Sequence, residues 1–136
     1  QLGDVLLALA ASTDSAVNRL RFGGADFAPA ASFELLARAH GIAAARGIPV
    51  RVGTVLTGDL FYGDDPDFWK LWARYGVLAA EMETAALYTI AAGFGAQALA
   101  ILTASDSLVS GASATTEQRQ QGYTAMMEIA LEAAVS

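Results

Sequence analysis

Apolar and polar positions divide this chain into alternating blocks. Residues 4–11 are nearly all apolar, which predicts a strand buried on both faces. Residues 12–31 mix polar side chains with Gly23-Gly24 and Pro29 and read as a long excursion. Loops of that length without regular structure are uncommon unless functional. Residues 32–46 have helical spacing, with Phe33, Leu36, Ala39 and Ala43 on one side, and Gly47 and Pro49 stop the helix. A strand follows at 50–57, alternating Val50 and Val52 against Arg51 and Gly53.

Asp64-Asp65-Pro66 opens a short amphipathic helix, acids and proline being favoured in a first turn, with Phe68, Leu71, Trp72 and Tyr75 as its stripe. Residues 77–80 are a short strand candidate. Residues 82–94 carry almost no charge, which predicts a buried helix ended by Gly95. Residues 98–104 predict another buried strand. Thr115 or Thr116 starts the last helix, with Tyr123, Met126, Ile129, Ala130 and Ala133 facing inward. Strands alternating with helices predict an α/β fold: a central mixed, largely parallel twisted sheet flanked by helices. Ligands in such sheets sit beyond the carboxyl ends of strands, so segments 57–62, 80–83 and 105–107 are the first suspects.

Composition narrows the function classes. The chain of 136 residues suits one domain or a large piece of one, and at 54% hydrophobic and 16% charged it is a globular sequence. Its net charge is −6 with no cluster of Lys or Arg, which disfavours nucleic-acid or anionic-membrane binding. There is no cysteine and one histidine, His40, which reads as a surface residue. Disulfides, Ser-His and Cys-His nucleophiles, and thiolate or histidine-rich metal sites are thereby excluded, and no metal is expected. With no basic leader and no apolar run near ~18 residues, a soluble cytoplasmic protein is expected. A start at Gln1, with the apolar run reached by Val5, reads as entry in mid-domain.

Candidate chemistry lies after the strands. Glu81-Met82-Glu83 puts two carboxylates where a buried strand meets a nearly uncharged helix. Burying such a group costs several kcal/mol, roughly, unless it is paired or hydrogen-bonded. Free N–H groups at a helix start offset part of that, so one reading is a pair of helix-end acids. The other is that a carboxylate accepts both hydroxyls of a vicinal diol. Asp106, after residues 98–104, reads either as a turn or cap acid or as a general acid with its pKa raised by a partly apolar site. Phe61 and Tyr62 read equally as rim aromatics or as a ligand platform. Arg119 is a solvated helix position unless an acid lies opposite.

Together these pieces resemble one family, the hexameric bacterial purine nucleoside phosphorylases. Thr13-Asp14-Ser15, Val17-Asn18-Arg19 and Arg21-Phe22 look like that family's excursion. Asp59-Leu60-Phe61-Tyr62 looks like its base-flanking segment, and Glu81-Met82-Glu83-Thr84-Ala85-Ala86-Leu87-Tyr88 like its ribose-binding stretch. Ser105-Asp106 is similar to its catalytic pair, with Arg119 at the family spacing. The resemblance runs from about Asp4 to about Ala133. It implies the nucleoside phosphorylase/hydrolase-like fold, with residues 1–136 as the C-terminal part of a single domain. It further implies reversible phosphorolysis of purine nucleosides to free base and (deoxy)ribose 1-phosphate, with inorganic phosphate as co-substrate and no cofactor.

The same resemblance implies roles. Asp106 would protonate the purine at N7, and Arg119 would approach it as the last helix closes. Glu83 would bind the ribose 2′- and 3′-hydroxyls with Met82 beside the sugar. Phe61 would flank the base, with Tyr62 and Ala80 on the pocket wall, while Glu81 serves the site or the structure. Ser105 completes the pair with Asp106. In the family the phosphate ligands come from an N-terminal part and from a neighbouring subunit of a homo-hexamer built as a trimer of dimers. Ser107 stands where the family has histidine, and residues 108–114 lack that loop's charge. Three alternatives remain open. Methylthioadenosine/adenosylhomocysteine-type nucleosidases share the Ser-Asp acid but use water; Arg119 and Asp59-Leu60-Phe61-Tyr62 favour the phosphorylase. Uridine phosphorylases share Glu-Met-Glu but lack an acid at the position of Asp106. An inactive nucleoside-binding fragment is the non-enzymatic alternative.

Overall fold

A computed structural model describes residues 1–135, with the backbone alone at positions 121 and 122. Its elements are β1 (Val5–Thr13), α1 (Val17–Arg21), α2 (Phe33–Ala45), β2 (Val50–Thr57), α3 (Phe68–Arg74), β3 (Ala79–Glu81), α4 (Thr84–Gly93), β4 (Ile101–Thr103) and α5 (Thr116–Val135). The four strands form one mixed sheet in the order β3-β2-β1-β4. β1 and β2 are parallel, as are β2 and β3, while β4 runs antiparallel to β1.

Alternation along β1 builds two apolar layers. Val5 and Leu7 pack with Leu36, Ala39 and Ala43 of α2 and with Ile129 and Ala133 of α5. Ala8 and Ala11 pack with Val55 and with Ala85 and Tyr88 of α4. The result is a sheet with α2 and α5 in one layer and α4 in the other. Fully burying one Leu or Ile contributes about 1.5–3 kcal/mol, so Leu7 and Ile129, both at 0% exposure, are prime contributors. Gly47 (φ 67°) and Gly95 (φ 64°) end α2 and α4 in the left-handed conformation that glycine adopts without a Cβ penalty. Among the described residues, no helix is long and apolar enough to cross a membrane.

Several expectations change. The strand expected at 98–104 forms only over Ile101–Thr103 and runs opposite to its neighbour. β2 does not alternate: Val52 is 41% exposed, whereas Val55, Leu56 and Thr57 are all buried. β3 pairs only with Val55–Thr57, so the first half of β2 has an open flank and the second half has neighbours on both sides. The stripe on α3 finds no core here, with Leu71 at 55% and Tyr75 at 79% exposure. Phe33 likewise faces outward. α4 is buried on one face, through Thr84, Ala85, Tyr88 and Thr89, while Leu87, Ile90 and Phe94 face out. The excursion at 12–31 holds the five-residue α1, tied to α4 by a buried bond from Asn18 Nδ2 to Thr89 Oγ1 (3.0 Å).

Candidate functional site

The parallel register sets Thr13, Thr57 and Glu81 side by side at the carboxyl ends of three strands. Segments 57–62 and 80–83 therefore leave the sheet together, as expected for a ligand edge. The loop after β2 is held from both sides: the Gly58 N–H donates to the Glu81 carbonyl (2.9 Å) and the Asp59 N–H to Asp14 Oδ1 (3.0 Å). Beyond these anchors Phe61 and Tyr62 stand free, 74% and 89% exposed, their rings edge-to-face at 4.8 Å. Met82 is 40% exposed, and Ala80 is also exposed.

The two acids of Glu81-Met82-Glu83 divide between the two readings. Glu81 Oε2 accepts the backbone N–H groups of Glu83 (2.8 Å) and Thr84 (2.7 Å). Its Oε1 accepts the hydroxyl of Thr57. Glu81 is thus the helix-end acid, with both oxygens engaged at the start of α4. Glu83 is exposed, and its carboxylate has no partner among the described residues. A carboxylate with two open oxygens at a strand-end rim is suited to a diol. Sequence spacing alone did not separate the pair, because both acids sit at the same helix start.

Because β4 is antiparallel, its last residue, Thr103, pairs with Val5, so the Ser105–Asp106 segment departs from the opposite end of β1. There a second cluster forms. Ser105 Oγ donates to Asp106 Oδ2 (2.6 Å), and Arg119 reaches Asp106 Oδ1 with a guanidinium N–H (3.3 Å). The chain folds back on itself: Asp106 bridges to Ser113, and the Ala114 N–H donates to the Ser105 carbonyl (2.8 Å). Arg119 is steadied by its Nε–H on the Ala114 carbonyl (3.1 Å). Asp106 is about half exposed, at 48% of its side chain. The Ser105 hydroxyl, then that of Ser113 and the charge of Arg119, hold its carboxyl below the usual range. An apolar site that raises the pKa is therefore not what these residues build; Asp106 is ionised, and the acid opposite Arg119 is present. Ser113 had no signal in the sequence, since its contact depends on the return of the loop.

Among the described residues, no hydrogen bond or ion pair joins the Glu83 cluster to the Asp106 cluster, and none gathers three or more His, Cys, Asp or Glu side chains suited to a metal ion.

Comparison with known proteins follows the same outline. Residues 1–135 match the phosphorylase superfamily. The chain is 58% identical over 134 residues to a protein of Alkaliphilus metalliredigens named "Purine nucleoside phosphorylase DeoD-type", covering 98% of this chain and 58% of that one. A protein of the same name from Thermoanaerobacter sp. is 56% identical over 134 residues, with the same coverage of 98% and 58%. One from Clostridium perfringens is 53% identical over 133 residues, covering 98% and 57%. The chain thus spans somewhat under three fifths of the length of these relatives, at 57–58%.

Proposed function

The chain belongs to the phosphorylase superfamily, and from that premise we propose that the protein carrying it is a purine nucleoside phosphorylase, in which these residues supply the ribose and base side of the active site. The observation that carries this reading is the 53–58% identity to relatives bearing that name. The geometry that supports it is the split between a committed Glu81 and an open Glu83.

In this reading Glu83 accepts the 2′- and 3′-hydroxyls of ribose, Met82 packs beside the sugar, and Phe61 and Tyr62 close over the base. Phosphate attacks C1′, the bond from C1′ to the base breaks, and the base takes the electron pair. A proton delivered to N7 neutralises the charge that develops there, and Asp106 is the group that delivers it. Asp106 starts ionised beside Ser105 and Arg119, so it takes a proton from solvent before passing it to N7, and the adjacent Arg119 cation makes the protonated carboxyl a stronger acid. Glu83 and Asp106 lie at opposite ends of β1, farther apart than one nucleoside reaches, so the role of Asp106 in this reading rests on the family resemblance and not on this geometry. The phosphate ligands come from sequence outside these 136 residues and from a neighbouring subunit of a cytoplasmic homo-hexamer. No cofactor takes part.

The test is cleavage of inosine and adenosine by the full-length protein, with and without phosphate. Strictly phosphate-dependent release of base together with a sugar 1-phosphate is the expected result. Equal release without phosphate identifies a nucleosidase. Preference for uridine identifies a pyrimidine enzyme. Binding without turnover leaves only a nucleoside-binding protein.

A further inference from the structure

Thr57 is the last residue of β2, 5% exposed, and its single hydroxyl does two things. It donates to Glu81 Oε1 and accepts the backbone N–H of Ala85 (2.8 Å). Glu81 Oε2 meanwhile takes the N–H groups of Glu83 and Thr84. Three successive N–H groups at the start of α4 therefore end on two side chains from the tips of β2 and β3. A helix start ordinarily satisfies such groups through the residue at its N-cap. Here the N-cap residue is Glu83, and its side chain makes no capping bond.

We propose that the Thr57–Glu81 pair is the positioning device for Glu83: by capping α4 from the neighbouring strands it fixes the Glu83 backbone and leaves the Glu83 carboxylate open to a sugar diol. This rests on the reading of Glu83 as the ribose ligand, although neither Thr57 nor Glu81 touches substrate in it. The chemistry requires a hydroxyl, since only an O–H donates and accepts through one atom in so small a space. Valine fills the same volume and does neither. In Thr57→Val the Ala85 N–H loses a buried acceptor and Glu81 loses a donor. The first turn of α4 then has one cap in place of two, and Glu83 is no longer held in one direction.

The experiment compares wild type, Thr57→Val, Thr57→Ser and Glu81→Gln in the full-length protein, using inosine and 2′-deoxyinosine with phosphate. Loss of a positioned hydrogen bond should lower kcat/KM for inosine by about 5- to 30-fold in Thr57→Val, mainly through KM. The loss for 2′-deoxyinosine should be smaller, so the preference for the ribonucleoside flattens. Thr57→Ser should restore it, Glu81→Gln should flatten it, and Thr57→Val added to Glu83→Ala should cost little more than Glu83→Ala alone. Hydrogen exchange provides a readout that needs no activity: the Ala85 amide should be protected in wild type and Thr57→Ser and exchange faster in Thr57→Val. If Thr57→Val is too unstable to assay, Glu81→Gln and the serine variant carry the comparison. Equal losses for both nucleosides, or unchanged Ala85 exchange, overturn the inference while leaving the proposed function standing. A wild type that shows no phosphate-dependent cleavage, yet protects Ala85 as described, overturns the function and with it the role of Glu83, and leaves only a helix cap.

Discussion

Tyr88 offers the sharpest energetic test of this architecture. It lies on α4, is 1% exposed, and its hydroxyl joins two other elements. The O–H donates to the Ala8 carbonyl in β1 (2.5 Å) and accepts the Ala100 N–H (3.0 Å) just before β4. Tyr88→Phe keeps the ring, hence the apolar packing, and removes both bonds. Leaving a buried donor or acceptor unpaired costs about 1–3 kcal/mol. Ala8 is fully buried and Ala100 only partly, so the sum should fall at roughly 2–4 kcal/mol. Urea unfolding at pH 7 measures it, and faster exchange of the Ala100 amide locates it. The pH dependence supplies an independent sign. Burial, with a smaller contribution from the charge of Glu81, pushes the phenol above its ordinary 10.0, against the Ala100 N–H bond that lowers it. A group whose pKa is raised on folding gives stability that is full below the unfolded value and lost as pH climbs through the folded one. Wild type should therefore weaken above about pH 10 in a way that Tyr88→Phe does not, and the gap between them should narrow. A phenylalanine variant within about 0.5 kcal/mol of wild type at pH 7, with Ala100 still protected, refutes the bridging role.

Other perturbations separate the remaining roles. Glu83→Ala should lower kcat/KM for ribonucleosides by about 10- to 100-fold, with a smaller loss for 2′-deoxynucleosides; equal losses remove the assignment. Asp106→Asn keeps a donor but has no proton to transfer, so adenosine turnover should fall by roughly 10²–10⁴-fold. Inosine should fall less, because O6 and N7 can share the amide's hydrogen bond, and adenosine turnover within a few-fold of wild type shows Asp106 to be a turn residue. Ser105→Ala removes the leading cause of the depressed Asp106 pKa, so a carboxyl carbon titration by NMR should move upward, and further than in Arg119→Ala. By the same sign, whatever stability Asp106 lends is present above the ordinary 3.8 and lost as pH falls through its lower folded value. Ile129→Ala empties a fully buried position between α5 and the sheet and should cost about 2–5 kcal/mol in thermal or urea unfolding; a loss below 1 kcal/mol means that α5 is not docked there.

The sequence was informative where a side chain's fate depends on its own element. The helix expected over 32–46 with Gly47 after it, the bounds of β2 at 50–57 and the start of the last helix at Thr115 or Thr116 all follow from local spacing. The direction of β4 does not, because an apolar run reads the same in either direction and its pairing with Val5–Leu7 is made some ninety residues away in the chain. Nor does the exposure of Leu71 and Tyr75, since periodicity reveals a stripe but not what lies opposite. The candidate site was legible as residue types at strand ends. What was hidden was the division of labour, which rests on bonds across 24 and 28 residues from Thr57 to Glu81 and Ala85, and on a loop that turns Ser113 back to Asp106.

These long-range bonds also tie elements at the two ends of β1 to a single helix. Catalytic groups must be fixed closely, since a misplacement of about 1 Å can cost roughly 10²-fold in rate. α4 carries Glu83 at its N-cap and Tyr88 one turn into its body. Through Tyr88 it grips β1 at Ala8, beside the register shift between Ala8 and Ala10. Through the same hydroxyl it grips Ala100, which leads directly into β4 and from there to Ser105 and Asp106. Thr57 and Glu81 set the start of α4, and Tyr88 sets its middle. A shift of α4 along the sheet must therefore break bonds at both places. The orientation of the open carboxylate and the path of the strand that feeds the acid are coupled through one helix, and disturbance at Tyr88 should reach both.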